Sequence, residues 1–446
     1  MRLGNQDPLW HDGEFAVPED RTAYPRSADQ RLEDRVGVSA QAGFFTGPGA
    51  AAYQAALLRE INQRAAARPH DGQAAYAVCR GDREVLATPN ELLLRAERLD
   101  DATRQLLVEL GFDVTAAVDA LGGRVKVIRA NPGLEPDRLD EVLLVLQSRG
   151  IPASLNHLTP LGPWAKGQGG PEPTDGVARV APPQVGGDPL VAVIDTGVNT
   201  EGRGDDWLAG LQNDGNKDLL DVFGDDQELD FAAGHGTFVA GVVQQVAPAA
   251  PIRVYKALNS DGMGSEVAVA EAIVQAAADG AKVVNLSLGT RTLDDQPPVA
   301  IDVALEVIPA DVVVVAAAGN YGDERPVWPA AFRQVVSVAA LSATGQGSPW
   351  STRGFWVDLS VVGEGIVSTY VQGQESAIID PYPDTFPVAG WAVWSGTSFA
   401  APQVAGLIAR LMLAENLSAP EALQRVSAVG VRRPDFGRAL RILPGT

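Results

Sequence analysis

The segment LVAVIDTG, residues 190–197, joins five apolar residues to an Asp-Thr-Gly turn sequence. Similar apolar runs follow it, with helical patterns between them: IRVYKAL at 252–258, KVVNLSL at 282–288, DVVVVAAAG at 311–319 and VVSVAAL at 335–341. Short Val-rich runs bounded by helices are typical of strands buried on both faces of a parallel sheet. The sequence therefore predicts an α/β domain over residues 189–446, with a mostly parallel sheet flanked by helices.

Three residue types that together activate a hydroxyl nucleophile lie where this sheet would bring them together. Asp195 ends the first strand, His235 lies in GHGTFVAGVV, and Ser398 precedes a helical pattern in SGTSFAAPQVAGLIARLML. The base that deprotonates a serine needs a carboxylate to orient it and to stabilise its cation. The carboxyl ends of parallel strands share one edge of a sheet, so such side chains can converge there. Singly, Asp195 would be a turn residue and Ser398 a helix cap, but the three together favour catalysis.

The segments IDTG, GHGTFVAG and GTSFAAPQVAG resemble the three signature segments of the subtilases, in the same order along the chain. The order Asp, His, Ser separates this family from other folds with the same triad. The resemblance covers roughly Pro189 to Arg425 and implies a serine endopeptidase with Ser398 as nucleophile, His235 as general base and acid, and Asp195 as orienting carboxylate. VVAAAGN, residues 314–320, resembles the family's oxyanion-hole strand, which implies that Asn320 binds the oxyanion.

Two other segments resemble the substrate-lining segments of the family, which pair with an extended peptide by strand addition. They supply the candidate binding residues Ser287, Leu288 and Gly289 in VNLSLG, and Gly262, Met263 and Gly264 in DGMGS. VWPAAF, residues 327–332, resembles the far end of the S1 pocket, with Val327 where many members carry a small residue. A branched side chain there predicts a preference for medium apolar P1 residues over Phe or Tyr. Asp323 and Glu324 leave a basic P1 residue open as an alternative.

No cofactor and no metal site are expected. Many secreted subtilases insert a calcium-binding loop after the segment that GHGTFVAG resembles, whereas this chain continues directly into VVQQVAPAAP, residues 242–251. Asp214, Asp218 and Asp221 could still bind a hard cation, although acidic loops are more often simply solvated.

The residues before the protease-like region divide into three parts. Residues 1–45 are interpreted as an extended or disordered arm, and residues 159–188 as a Pro/Gly-rich linker. Residues 46–158 form a predicted small α+β (ferredoxin-like) region, which opens with an Ala/Leu-rich helix and places two later helices on one face of a sheet. Its order of elements and its ending SLNHLTPL resemble the inhibitory prodomain of subtilases, which implies an intramolecular inhibitory partner. An unrelated partner-recognition module is the alternative.

Composition limits the partners and the compartment. The 446 residues include 35 Lys and Arg against 56 Asp and Glu, a formal net charge of −21, so neither nucleic acid nor a membrane is expected as a partner. Cys79 is the only cysteine, and the N-terminus lacks a basic start with an apolar run, which together favour the cytoplasm. The expected function is hydrolysis of protein or peptide substrates by a self-inhibited precursor. A dedicated peptide-maturation protease or transpeptidase, and a catalytically silent binding scaffold, are the alternatives.

Overall fold

The computed structural model describes residues 10–11, 14–15, 50–67, 74–159 except 82, 170–176, and 189–443 except 206, 210, 212–216, 222–226 and 377–382. Trp10–His11 and Glu14–Phe15 form a two-residue antiparallel ladder. The rest of the arm predicted over residues 1–45, and most of the linker predicted over 159–188, lie outside the described residues.

The N-terminal part contains a ferredoxin-like unit. Its elements are α1 (Ala50–Ala67), β1 (Tyr76–Arg80), β2 (Arg83–Arg95), α2 (Asp101–Glu109), β3 (Phe112–Ala120), β4 (Val125–Ala130), α3 (Pro136–Ser148) and β5 (Ala153–His157). From β2 onward the chain order is βαββαβ and the antiparallel sheet order is β5-β2-β4-β3. Leucines of α2 and α3 pack with residues of β2, β4 and β5 in one buried cluster, so both helices cover the same face.

The strands of this unit extend beyond those that the sequence pattern indicated. The apolar pattern of ELLLRA, residues 91–96, indicates a strand, but β2 begins earlier, at Arg83. β3 and β5 lack a comparable apolar run. In β3 only the two terminal residues are buried, because this strand lies at the edge of the sheet. An edge strand with little burial shows neither an apolar run nor a clean alternation, so periodicity does not identify it.

The C-terminal part is the predicted α/β domain. Its helices are α4 (His235–Val246), α5 (Glu266–Ala278), α6 (Val299–Val307), α7 (Thr397–Glu415) and α8 (Ala419–Ser427). Strand β6 (Glu172–Thr174) precedes the predicted start of this domain at residue 189. The strands that follow are β7 (Leu190–Asp195), β8 (Glu228–Leu229), β9 (Ile252–Lys256), β10 (Ala281–Leu286), β11 (Val313–Ala317), β12 (Val335–Leu341), β13 (Leu359–Val362), β14 (Ile366–Thr369), β15 (Gly373–Glu375), β16 (Thr385–Phe386), β17 (Trp391–Trp394), β18 (Val431–Arg433) and β19 (Gly437–Ala439).

Eight of these strands form the central sheet, in the order β9-β7-β10-β11-β12-β13-β19-β18. Every pairing in it is parallel except that of β18 with β19. Helices α4 and α7 bury apolar residues against one face, and α5 and α6 against the other. Both faces of the sheet are therefore covered, as the near-continuous apolar strands predicted.

The ferredoxin-like unit packs on α5 and α6. Leu93 of β2 and Val127 of β4 belong to the same buried cluster as Ile273 of α5 and Ala304 of α6. The outer face of the small sheet thus meets the two helices that cover the large one. This contact makes the N-terminal unit part of the core rather than a separate tethered body.

β6 corrects the linker prediction. Its three residues pair antiparallel with β17, with Glu172 opposite Val393 and Thr174 opposite Trp391. Three residues that include Pro173 are too short for a detectable strand pattern, and proline is tolerated only at a sheet edge. Residues 172–174 therefore belong to the α/β domain.

Among the described residues, one helix, α7, is long and apolar enough to cross a membrane. However, 78% of its most apolar window is buried inside the protein. The core of a soluble protein also produces helices of this kind, so α7 is a weak membrane signal.

Candidate active site

Asp195 and His235 are brought together by β7 and α4. Asp195 is the last residue of β7, and His235 is the first residue of α4. The His235 Nδ1–H donates to Asp195 Oδ1 at 2.8 Å, and the Thr196 backbone N–H donates to the same oxygen at 2.8 Å. Asp195 is fully buried. A carboxylate held in this way fixes the imidazole tautomer and leaves Nε2 free to accept a proton.

Glycines flank His235 because the backbone is tightly packed there. A Cβ on Gly236 would lie 2.0 Å from the carbonyl oxygen of Gly197, an impossible contact. Gly234 has a φ of 82°, in the left-handed region that favours glycine. The sequence Gly-His-Gly is therefore required to place the imidazole beside the turn that follows β7.

Aromatic side chains enclose the His235 ring. The ring centroids of Trp394 and Phe399 lie 5.4 and 5.5 Å from it, the former edge to face. Phe238, one turn further along α4, packs against Phe399 at 4.5 Å. These contacts restrict the orientations that the imidazole can adopt.

Ser398 is the second residue of α7, where backbone N–H groups have no partner within the helix. The Ser398 hydroxyl donates to the carbonyl oxygen of Ser287 at 3.1 Å, and the Ser287 hydroxyl donates to the carbonyl oxygen of Ser398 at 2.7 Å. The structure therefore places Ser398 directly against the end of β10. Its hydroxyl has to turn away from Ser287 before it can donate to an imidazole.

Asn320 is oriented by Thr397, which the sequence analysis did not single out. Asn320 Oδ1 accepts from the Thr397 backbone N–H at 3.0 Å and from its hydroxyl at 2.8 Å. Because N–H donates and cannot accept, these bonds identify the oxygen side of the amide, and the NH₂ group faces the other way. A Cβ on Gly396 would lie 3.6 Å from Asn320 Nδ2. An amide donor beside a helix N-terminus suits a developing oxyanion.

The two predicted substrate-lining segments lie at the same edge of the sheet. Ser287, Leu288 and Gly289 follow β10, and Gly262, Met263 and Gly264 lie in the connection from β9 to α5. The Gly264 carbonyl oxygen accepts from the backbone N–H of Thr159 at 2.8 Å and from its hydroxyl at 3.0 Å. Leu158 and Ser265 form an antiparallel bridge. The end of the N-terminal unit therefore adds to this edge as an extended peptide would.

Val327 lies between Gly289, which follows β10, and Gly319, which follows β11. A Cβ on Gly289 would lie 2.6 Å from one Val327 methyl group, and a Cβ on Gly319 would lie 3.1 Å from the other. Asp323, considered above as a partner for a basic substrate residue, is hydrogen-bonded to Arg291. The geometry thus favours the apolar interpretation of the pocket over the basic one.

The acidic residues considered as cation ligands have other partners where the structure describes them. Asp218 Oδ2 accepts from the Thr196 hydroxyl and the Gly234 backbone N–H, and Asp221 Oδ2 accepts from the Gln227 backbone N–H. Asp214 lies outside the described residues. Within the described ranges, no group of three or more His, Cys, Asp or Glu side chains could hold a metal ion.

Comparison with known proteins identifies the family. Residues 186–428 match the model described as the subtilase family, which is more than half of the chain. The chain belongs to the subtilase family. As a subtilase it is a serine-type endopeptidase.

Curated relatives agree with this assignment. The subtilase is 34% identical over 239 residues to thermitase of Thermoactinomyces vulgaris, a match that covers 51% of this chain and 76% of thermitase. It is 35% identical over 235 residues to a thermophilic serine proteinase of Bacillus sp. AK1, covering 50% of this chain and 51% of that protein. A crystal structure titled as a lanthipeptide protease matches with a TM-score of 0.46 at 23% identity, covering 57% of this chain and 86% of that one.

Proposed function

We propose that this subtilase cleaves protein or peptide substrates with Ser398 as nucleophile, His235 as general base and acid, Asp195 as orienting carboxylate and Asn320 as oxyanion donor. The observation that carries the proposal is the 2.8 Å hydrogen bond from His235 Nδ1 to Asp195 Oδ1. This pair lies in the same buried site as the N-terminus of α7, since the His235 ring contacts Phe399, the residue after Ser398.

In the proposed acylation step, Ser398 Oγ gives its proton to His235 Nε2 and bonds to the carbonyl carbon of the substrate. The carbonyl oxygen becomes an oxyanion, which Asn320 Nδ2 and the Ser398 backbone N–H bind. His235 then passes the proton to the leaving amine, and an acyl-enzyme remains. Water repeats the sequence and releases the acid. The substrate backbone pairs with Gly264 and Gly289 on the two sides of the groove.

The chain is further proposed to be a self-inhibited precursor whose N-terminal unit blocks the groove. Support comes from Thr159, which occupies the hydrogen-bonding edge at Gly264 that a substrate would need. Next to it, His157 Nδ1 lies 3.0 Å from Glu266 Oε2, and both side chains are buried. Glu266 Oε1 in turn accepts from the Ala300 backbone N–H at 2.6 Å, at the start of α6. The end of the N-terminal unit, residues 157–159 (the tail), is therefore anchored to α5 and α6, the two helices on which this unit packs.

Helix α1 adds a second contact with the groove. Arg64 donates to Asp261 Oδ2 at 2.9 Å and to Asp261 Oδ1 and Asp230 Oδ1 at 2.8 and 2.7 Å. Ile61 and Met263 share a buried cluster with Leu158. Since Asp261 and Met263 belong to a predicted substrate-lining segment, α1 supports the inhibited state by holding the tail against it.

A cytoplasmic location is part of the same proposal. Cys79 is the only cysteine of the sequence and is exposed, so the fold does not depend on an oxidising compartment. The test is cell fractionation with an antibody to the protein, and recovery in the culture medium would contradict it.

Fluorophosphonate labelling and mass spectrometry test the catalytic proposal. Wild type should be labelled and should shorten itself, whereas Ser398→Ala should take no label, stay full length and lose about 10³-fold or more of its activity. Ser418→Ala, at the exposed N-cap of α8, is the control and should behave as wild type. Labelling of Ser398→Ala at the wild-type rate would refute the assignment of the nucleophile. Shortening of that variant would refute self-processing.

A further inference from the structure

A buried carboxylate outside the proposed triad connects the segments that carry Asp195 and His235. Asp218 is fully buried in the loop before β8. Its Oδ2 accepts from the Thr196 hydroxyl at 3.0 Å and from the Gly234 backbone N–H at 2.8 Å. Thr196 directly follows Asp195, and Gly234 directly precedes His235. One oxygen atom therefore holds both segments.

Thr196 extends this connection to the other side of His235. Its hydroxyl oxygen accepts from the Gly236 backbone N–H at 3.1 Å. A hydroxyl has a single proton, so donation to Asp218 turns its lone pairs toward Gly236. Both neighbours of His235 are thus fixed by Asp218, one directly and the other through Thr196.

The second oxygen of Asp218 indicates that burial of this carboxylate costs free energy of folding. Asp218 Oδ1 is buried and has no hydrogen-bond partner within the part of the chain that the structure describes. Burial raises the pKa of Asp218 to about 6, against the opposing effect of Lys256. The charged groups that act on it are Asp195 and Lys256, whose Nζ donates to the Thr196 carbonyl oxygen at 3.0 Å. The titratable His235 directly follows Gly234, which donates to Asp218. A buried, incompletely satisfied carboxylate is more typical of a functional site than of a stabilising contact.

We propose that Asp218 is a positioning residue for the triad. Through Thr196 and Gly234 it holds His235 in the orientation that bonds Asp195, and its negative charge stabilises the imidazolium formed in acylation. This inference rests on the proposed roles of Asp195 and His235.

The first test measures kcat and KM for Asp218→Ala and Asp218→Asn. Asp218→Ala should lose about 10²-fold in kcat with KM changed less than about twofold, because a displaced base affects the transition state more than the bound substrate. Asp218→Asn should lose less kcat than Asp218→Ala, since its amide oxygen can still accept from Thr196 and Gly234. Asp358→Asn is the control, because Asp358 also accepts from a hydroxyl and a backbone N–H, those of Ser337, but is exposed.

The second test measures the pH dependence of kcat/KM, whose acid limb reports the base in the free enzyme. Loss of a nearby negative charge destabilises the imidazolium, so the limb of Asp218→Asn should move to lower pH. A purely structural role would not move it, and the Asn variant decides the question even if Asp218→Ala does not fold. If the acid limb of Asp218→Asn does not move, although this variant still reacts with fluorophosphonate, the role proposed for Asp218 is wrong and the proposed triad stands. Activity persisting in Ser398→Ala would instead overturn the proposed triad.

Discussion

Val327 is the residue that we propose sets the substrate preference at P1. Its side chain occupies the space between Gly289 and Gly319, where a Cβ on Gly289 would clash with it at 2.6 Å and a Cβ on Gly319 would crowd it at 3.1 Å. Val327 is itself almost fully buried, so its methyl groups are fixed by packing. A valine held in this position makes the proposed S1 pocket shallow.

Val327→Gly should therefore shift the P1 preference from medium apolar residues toward Phe and Tyr. Each methylene in an apolar pocket is worth about 1–3 kcal/mol, so the ratio of kcat/KM for Phe over Val should rise about tenfold or more. A peptide library varied at P1 measures it. Val431→Gly, at an exposed valine, is the matched control and should leave the ratio unchanged. A Phe-to-Val ratio in Val327→Gly equal to that of the control would show that this residue does not limit the pocket.

Single residues also show where sequence reasoning reaches its limit. Asp195, His235, Ser398 and Asn320 could be proposed from the sequence because each lies in a short segment whose neighbours are needed for its geometry. The role proposed for Asp218 could not, because Asp218 and Thr196 are 22 positions apart in the sequence and their contact leaves no local pattern.

Among the elements, helix α1 makes the least expected contribution. Its sequence, rich in alanine and leucine, indicates a helix but gives no partner. The structure shows that Arg64 reaches two buried carboxylates, Asp230 and Asp261, and lies 4.7 Å over the Phe231 ring. These contacts join helix α1, the first helix within the described residues, to the proposed substrate groove.

Arg64→Met should loosen the inhibited state. Methionine keeps much of the apolar stem and removes the charge, and breaking a buried ion pair costs about 3–5 kcal/mol. We expect the uncut chain to be labelled by fluorophosphonate at least about tenfold faster than wild type. Arg59→Met, on the exposed side of the same helix, is the control. Equal labelling rates for the two variants would show that α1 does not contribute to inhibition.

The elements differ in how well the sequence predicted them, for a physical reason. The parallel strands β7, β10, β11 and β12 are buried on both faces, so their side chains must nearly all be apolar and the pattern is plain. β3 is largely exposed, and its side chains are under little constraint. β5 is fully buried, yet it contains Ser154, Asn156 and His157. The opposite domain supplies polar partners to all three: the Val299 backbone N–H to Ser154, the Val267 backbone N–H to Asn156 and the Glu266 carboxylate to His157. A strand at an interface between polar groups cannot be recognised without its partner.

At the scale of the whole molecule, five ion pairs between the N-terminal part and the α/β domain have the same polarity. The N-terminal part supplies arginines and the α/β domain supplies carboxylates in the ion pairs Arg64–Asp230, Arg64–Asp261, Arg83–Asp295, Arg95–Asp302 and Arg95–Glu306. In a chain of net charge −21, this arrangement lets the N-terminal part offset some of the repulsion within the α/β domain.

Salt should therefore weaken the association of the two parts. Raising NaCl from about 0.1 to 1 M shortens the Debye length from about 10 to about 3 Å, which screens the more exposed pairs most. Each such pair contributes at most about 1 kcal/mol, so we expect fluorophosphonate labelling of the uncut chain to quicken several-fold. The processed enzyme, labelled under the same conditions, corrects for salt effects on the chemistry. A corrected rate that does not change with salt would contradict this electrostatic account.

The pairing of β6 with β17 has a consequence for aggregation. A recombinant fragment that starts at Pro189, where the apolar strand pattern begins, would lack residues 172–174 and leave the backbone of β17 open along one side. An open strand edge is a template for pairing with another molecule, and β17 carries Trp391, Val393 and Trp394. Such a fragment would self-associate through that edge. A soluble protease domain has to begin before Glu172, so that the protein covers its own edge.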